Sequence, residues 1–146
     1  MSPYMKNKII IDTSPLVALL DKSDSYHQWV TEKVKTLPPP FLTCDAVITE
    51  SCFLLERAYN GQNILFSLLE SGHLQLDFDL KNELSQIKGL MNRYQSVPMS
   101  LADACLVRMC ELYDSNEIFT LDSDFLIYRK HKNQPISVII PDSLFS

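Results

Sequence analysis

Acidic residues stand at the places where predicted strands end and where the following helices begin. Asp12 closes the β-branched run at 9–11, and Asp122 follows a second apolar segment. Asp103 opens a predicted helix, and Glu50 lies one turn into another. In an open α/β sheet, ligands bind outside the carboxyl ends of the strands, so we expect these four carboxylates to converge there.

Carboxylates that converge need a compensating positive charge. At a separation of ~4 Å, two like charges repel by roughly 4 kcal/mol at an effective dielectric constant of 20. A hard divalent cation removes this repulsion. The candidate ligands are all oxygen donors, and the three histidines are scattered along the chain, which suits Mg²⁺ or Mn²⁺. The chemistry indicated is metal-assisted phosphodiester hydrolysis, in which the cation activates a water for in-line attack and neutralises charge on the phosphoryl oxygens.

The elements that must position these acids alternate between strand and helix along the chain. Strands are predicted at 9–11, 41–43, 74–78, 117–121 and 137–140. Helices are predicted at 16–20, 26–36, 45–59, from Asn60-Gly61 to 70, at 80–94, at 101–113 and in a short segment from 123. Ser14 and Asp45 are the predicted N-caps of the first and third helices. Parallel strands need crossover connections, so we predict a three-layer α/β/α fold with a mostly parallel central sheet.

Length and composition indicate one globular domain over residues 1–146. The chain is 46% hydrophobic, which is enough for one core and unlike a disordered protein. No apolar run approaches the roughly 20 residues that cross a bilayer, and no signal peptide is recognisable. We therefore expect a cytoplasmic protein with no membrane partner.

Charge and cysteine usage narrow the function classes further. The net charge of -5 argues against a protein that binds nucleic acid through its overall charge. Binding of a nucleic acid would therefore need a local basic surface or bound metal ions. The four cysteines show no CxxC spacing and lie among apolar residues. We expect them to be free thiols in the core, without structural zinc or disulfides.

Four segments together resemble the acidic signature of PIN-domain ribonucleases. They are IIDTSPL at 10–16, ITE at 48–50, SLADA at 100–104 and FTLDSDF at 119–125. Their order and element context match over nearly the whole chain, and the length is similar to that of small bacterial members that act as VapC-type toxins. The resemblance implies a metal-dependent endoribonuclease with RNA as substrate, Mg²⁺ or Mn²⁺ as cofactor and an antitoxin protein as partner.

The resemblance also implies roles for individual residues. The four acidic positions that hold metal in the family correspond to Asp12, Glu50, Asp103 and Asp122. Asp124 matches an auxiliary acid, and Thr13 and Thr120 match hydroxyls that would bond a carboxylate or a metal-bound water. Basic residues that no motif fixes are candidate phosphate contacts: Arg93, Arg108, Arg129, Lys130, His131 and Lys132.

Each acid also has a purely structural interpretation. Ser100 and Asp103 have the spacing of a capping box, which stabilises a helix start without any chemistry. Asp122 can be an N-cap, and Glu50 a solvated helix residue. Asp12 is harder to explain in this way, because Ser14 is the predicted cap and an acid after an all-isoleucine strand is locally costly.

Two other functions remain open. A receiver-like phosphoacceptor domain would also place acids at strand ends around Mg²⁺, with Asp77 as the residue that fits. A catalytically silent PIN-like module would bind RNA or a protein without cutting. Independently of these alternatives, the apolar residues at 53–55, 66, 68 and 69 would suit a homodimer or an antitoxin groove.

Overall fold

The computed structural model describes residues 7–145 and is built around a five-stranded parallel sheet. The strands in this part of the chain are β1 (Lys8–Ile11), β2 (Phe41–Thr43), β3 (Leu74–Leu76), β4 (Asn116–Phe119), β5 (Arg129–Lys130), β6 (Gln134–Pro135) and β7 (Val138–Ile139). The central sheet has the order β3-β2-β1-β4-β7, with every neighbouring pair parallel. β5 and β6 form a separate antiparallel hairpin.

Helices connect the parallel strands and cover the sheet. They are α1 (Thr13–Leu20), α2 (His27–Val34), α3 (Asp45–Leu54), α4 (Gly61–Ser71), α5 (Leu80–Arg93) and α6 (Leu101–Leu112). Short 3-10 helices occupy Leu55–Arg57, Ser123–Leu126 and Asp142–Leu144. Successive residues of a strand face opposite sides of the sheet, and the three isoleucines of β1 are all buried, so both faces are covered. The predicted three-layer α/β/α fold is confirmed.

The register between β1 and β4 places the first and last acidic motifs side by side. Ile11 pairs with Phe119 in the ladder, and the amide of Asp12 then donates to the Phe119 carbonyl at 3.0 Å. Asp12 and Thr120 therefore leave the sheet together at its carboxyl edge. The parallel ladder thus brings together residues that are 108 positions apart in the chain.

Two predicted helix caps are wrong. α1 begins at Thr13, with Asp12 as its N-cap, because the extended backbone of Asp12 aims its carboxylate at the Thr13 amide. The hydroxyl of Ser14 instead accepts from the amide of Leu121 at 3.2 Å and ties α1 to the end of β4. The N-cap of α3 is Cys44, and Asp45 is the first helical residue.

Several predicted boundaries also differ from the structure. The third helix ends at Leu54 rather than at 59, because a 3-10 turn follows and Ala58 is extended. The hairpin of β5 and β6 was not predicted at all.

No helix within residues 7–145 is long and apolar enough to cross a bilayer. The single domain over 1–146 stays a prediction, and its two ends lie outside the described residues.

Candidate active site

An open cleft of about 510 Å³, here called the acidic cleft, contains all four acids that the sequence singled out. Its polar lining is Asp12, Thr13, Ser14, Glu50, Ser100, Asp103, Asp122 and Ser123. These residues come from the ends of β1 and β4, from the first turns of α1 and α6, and from the middle of α3. The cleft therefore lies at the carboxyl edge of the sheet, where an α/β fold binds its ligands.

Asp12 is the most buried acid of the cleft, with a relative exposure of 6%. Its Oδ1 accepts from the Thr13 amide at 2.7 Å, and its Oδ2 accepts from the Thr120 hydroxyl at 2.8 Å. Burial raises the pKa of Asp12 to about 7, the charges of Asp103 and Asp122 add to the rise, and the two hydrogen bonds oppose it. The carboxylate is thus held in place in a site whose described lining contains no Lys or Arg.

The Thr120 hydroxyl links the first acid to the last one. It donates to Asp12 and accepts from the amide of Asp122 at 2.9 Å. The carboxylate of Asp122 in turn accepts from the amide of Asp124 and caps the 3-10 helix Ser123–Leu126. Because Thr120 is completely buried, this chain of bonds fixes Asp12 and Asp122 relative to each other.

Replacing Thr120 by valine tests this link, because valine has nearly the same shape and no hydroxyl. We expect the free energy of unfolding of the metal-free protein to fall by about 1–3 kcal/mol, since two buried polar groups lose their partner. The pKa of Asp12 should rise further, because the Thr120 hydrogen bond now lowers it. Urea denaturation at pH 8 measures the first effect, with Thr120→Ser as the control that keeps the hydroxyl. An equal loss in both variants would show that packing alone matters.

Asp103 combines the capping role with a place in the cleft. Its Oδ2 accepts from the Ser100 amide at 3.1 Å, and its own amide donates to the Ser100 hydroxyl at 3.0 Å, which completes a capping box. Burial raises the pKa of Asp103, and the nearby charge of Asp122 raises it further. Asp103 can therefore cap α6 and line the cleft at the same time.

Tyr128 is a residue of the site that the sequence analysis missed. Its side chain is completely buried, with ring contacts to Tyr94 and Phe125 at centroid distances of 5.1 and 5.2 Å. Its hydroxyl donates to the carbonyl of Pro98 and lies 3.3 Å from Oδ2 of Asp103. The one available signal was its position just after the last acidic motif, where an aromatic residue follows Phe125 at a spacing of three.

The other predicted residues are less closely integrated. Glu50 is exposed on α3 at the margin of the cleft. Asp124 does not line the cleft; its pKa is raised by burial and by the charge of Asp122. The hydroxyl of Thr13 is buried and has no hydrogen-bond partner among the described residues, so it makes no bond to a carboxylate.

The donor set of the cleft fits a hydrated divalent cation. Within residues 7–145, no three His, Cys, Asp or Glu side chains already form a closed metal-binding group. Mg²⁺ does not require one, because it usually keeps several waters and takes one or two carboxylates. The acids supply only oxygen donors, and the orphaned Thr13 hydroxyl adds another beside Asp12. These residues match the ligand preference of Mg²⁺ or Mn²⁺.

The candidate phosphate contacts lie outside the acidic cleft. Nη1 of Arg129 lies within hydrogen-bond distance of the backbone carbonyls of Leu126, Ile127 and Tyr128, just after the preceding short helix. Arg108 is paired with Glu83 and Glu111 at 2.6 and 3.1 Å. Arg93 and Lys132 line a second cleft together with Arg108, and Lys130 is half-buried on β5. Asp77, the candidate phosphoacceptor, lines another cleft and contacts the Tyr113 hydroxyl.

Known proteins are similar to this chain in sequence or in fold. The ribonuclease VapC26 of Mycobacterium tuberculosis is 26% identical over 116 residues, which cover 78% of this chain and 86% of the relative. The crystal structure of M. tuberculosis VapC20, a toxin that cleaves the sarcin–ricin loop, superposes with a TM-score of 0.76 at 18% identity, covering 88% of this chain and 100% of that one. A toxin–antitoxin complex from Klebsiella pneumoniae gives a TM-score of 0.61 at 16% identity, covering 80% of this chain and 88% of that one.

The structural neighbours establish the fold, and the sequence profile establishes the family. Residues 9–130 match the PIN domain, a range that contains β1 through β5 and all four acids of the cleft. The receiver-like alternative is thereby set aside, because its candidate Asp77 lies outside the cleft where the acids meet. This chain belongs to the PIN domain family.

Proposed function

We propose that this protein is an Mg²⁺- or Mn²⁺-dependent endoribonuclease and the toxin of a toxin–antitoxin pair. The observation that carries the proposal is the meeting of Asp12, Glu50, Asp103 and Asp122 in one open cleft at the carboxyl edge of the sheet. Relatives that cleave RNA and a neighbouring toxin–antitoxin complex support it. An enzyme of this kind would act in the cytoplasm.

Each acid has a distinct part in this proposal. Asp12, Asp103 and Asp122 would hold the cation, with Glu50 closing the site from α3. When bound, the cation supplies Lewis-acid stabilisation of the phosphoryl oxygens and lowers the pKa of a water. Thr120 and Tyr128 do not touch the substrate; they orient Asp12 and Asp103 through hydrogen bonds. Asp124 would act only through its charge, and Thr13 through its free hydroxyl.

Exposed aromatic residues on α3, on α4 and in the connection between them support a protein partner. Phe53 is 72% exposed, Tyr59 97% and Phe66 45%, which is unusual for large aromatic residues. An antitoxin that covers this surface would lie beside Leu54, which lines the acidic cleft. A homodimer is the competing way to bury the same residues.

Cleavage of a mixed, labelled RNA pool tests the proposed activity. We expect fragments with Mg²⁺ or Mn²⁺, none with a chelator, and recovery when metal is restored. Metal alone should also raise the melting temperature, because a ligand present at 100 times its Kd stabilises the folded state by about 2.7 kcal/mol. Stabilisation by metal without cleavage would favour the silent binding module, and the absence of both effects would contradict a metal site.

A further inference from the structure

A second cleft, here called the basic cleft, lies between α5, α6 and the turn that joins β5 to β6. Its volume is about 190 Å³, and its charged lining is Arg93, Arg108, Glu111, His131 and Lys132. Leu90 is the one large apolar residue of its lining in the described part of the chain. None of the residues that line this cleft also lines the acidic cleft, so the two are separate surfaces.

The turn that carries His131 and Lys132 is held in an unusual conformation. Both residues have positive φ angles, 50° and 73°, which non-glycine residues seldom adopt. The amide of His131 donates to Oε2 of Glu111 at 2.7 Å, and Oε1 of Glu111 accepts from Arg108 at 3.1 Å. Consecutive positive φ angles are typical of the tight turns that join hairpin strands, and the bond to Glu111 ties this one to α6. The turn is therefore fixed against α6 before any ligand arrives.

The charges of the basic cleft do not cancel. Glu83 and Glu111 are both engaged by Arg108, whose side chain is only 19% exposed. Arg93 and Lys132 are exposed, and among the described residues neither forms an ion pair. A chain with a net charge of -5 thus presents a local positive surface at this point.

We propose that the basic cleft binds a backbone phosphate of the RNA whose scissile bond lies in the acidic cleft. This inference rests on the proposed ribonuclease function and assigns its substrate a second contact. Arg93 and Lys132 would hold the phosphate, since guanidinium and ammonium groups are the usual protein donors to it.

The two clefts share one helix, α6. Asp103 and Arg108 lie on it about 8 Å apart along the axis at 1.5 Å per residue, and their side chains leave the helix about 140° apart at 3.6 residues per turn, so an RNA strand would pass around α6 to reach both. Tyr128, which contacts Asp103, directly precedes β5 and so joins the hairpin to the acidic cleft. An acidic protein segment fits less well, because protein interfaces depend on buried apolar and aromatic contacts and this cleft offers few.

The test is a comparison of two double variants that remove the same charges. The first double variant, Arg93→Gln with Lys132→Gln, alters the basic cleft. The second, Arg57→Gln with Lys35→Gln, alters exposed residues elsewhere. Binding of a labelled single-stranded RNA pool is measured from 50 to 200 mM salt, with every protein also carrying Asp12→Asn to prevent cleavage. Each phosphate contact on a single strand contributes about 0.7 to the slope of log K against log salt, so the cleft variant, which loses one such contact, should lose about 0.7 and the control almost nothing.

The outcomes separate this inference from the proposed function. Equal slopes in both double variants, or no change in the cleft variant, would overturn the phosphate contact. Unchanged RNA binding together with lost capture of a partner protein would reassign the cleft to that protein and overturn it as well. Failure of the unaltered chain to cleave RNA with metal would contradict the ribonuclease, while the slope comparison would still decide whether the cleft holds phosphate.

Discussion

Replacing Asp12 by asparagine is expected to reduce RNA cleavage by about a thousandfold and to leave the fold intact. Asp12 is the most buried acid of the cleft and would hold the cation, so losing its charge weakens the electrostatic stabilisation that the cation supplies, and single groups of this kind are worth factors of about 10²–10³. The amide oxygen of asparagine can still accept from Thr13, so α1 keeps its cap. Single-turnover cleavage and circular dichroism measure the two effects.

The same change should stabilise the protein when metal is absent. An aspartate in an unfolded chain has a pKa near 3.9, whereas burial raises that of Asp12 to about 7. The folded state therefore binds this proton more tightly, so the stability that Asp12 contributes is fully present below pH ~4 and is lost as the pH rises toward 7. At about 1.4 kcal/mol per pH unit, the ionised carboxylate lowers the free energy of unfolding by up to about 4 kcal/mol.

Asp12→Asn removes this penalty, and the pH profile of its stability should show that directly. With a chelator present, the variant should melt higher than the unaltered protein at pH 8 and at a similar temperature near pH 4. Asp114→Asn is the matched control, because Asp114 is exposed and does not line the acidic cleft. Full cleavage by Asp12→Asn, or equal losses in both variants, would contradict the assignment of Asp12.

The first strand shows how much of this site can be predicted from sequence. An isoleucine run needs cover on both faces, which the burial of β1 confirms, and an acid directly after it must lie at the edge of the sheet, where Asp12 stands between β1 and α1. The helix cap could not be predicted in the same way, because Ser and Asp are both good N-caps. The pairing of the Ser14 hydroxyl with the Leu121 amide decides it, and that contact joins residues 107 positions apart.

The basic residues show what local patterns leave out. From the sequence alone, four residues are equivalent candidates for a phosphate contact: Arg93, Arg108, Arg129 and Lys132. In the structure, Arg108 is paired with Glu83, which lies 25 residues away, and Arg129 bonds backbone carbonyls. Because side-chain partners of this kind are set by packing between helices, periodicity and spacing carry no information about them. The sequence also does not indicate the conformation of the turn at His131 and Lys132, because a contact with α6 holds it.

Replacing Tyr128 by phenylalanine is expected to reduce cleavage by about 10- to 100-fold, the usual range for a group that orients a metal ligand from outside. The change removes only the hydroxyl that lies 3.3 Å from Asp103 and leaves the Pro98 carbonyl without its donor. The loss should appear mainly as a higher metal concentration for half-maximal rate. The pKa of Asp103 should also rise, because the Tyr128 hydrogen bond now lowers it.

Tyr94→Phe separates this positioning role from packing, because it makes the same chemical change on the neighbouring ring. The Tyr94 hydroxyl accepts from the amide of Arg129 at 2.8 Å, so its loss should affect the hairpin more than the acids. Tyr128→Ala, in contrast, should lower the free energy of unfolding by about 3–5 kcal/mol, since it empties a fully buried aromatic position. If Tyr94→Phe changes the metal dependence as much as Tyr128→Phe does, the contact with Asp103 has no special role and the two tyrosines serve the core alone.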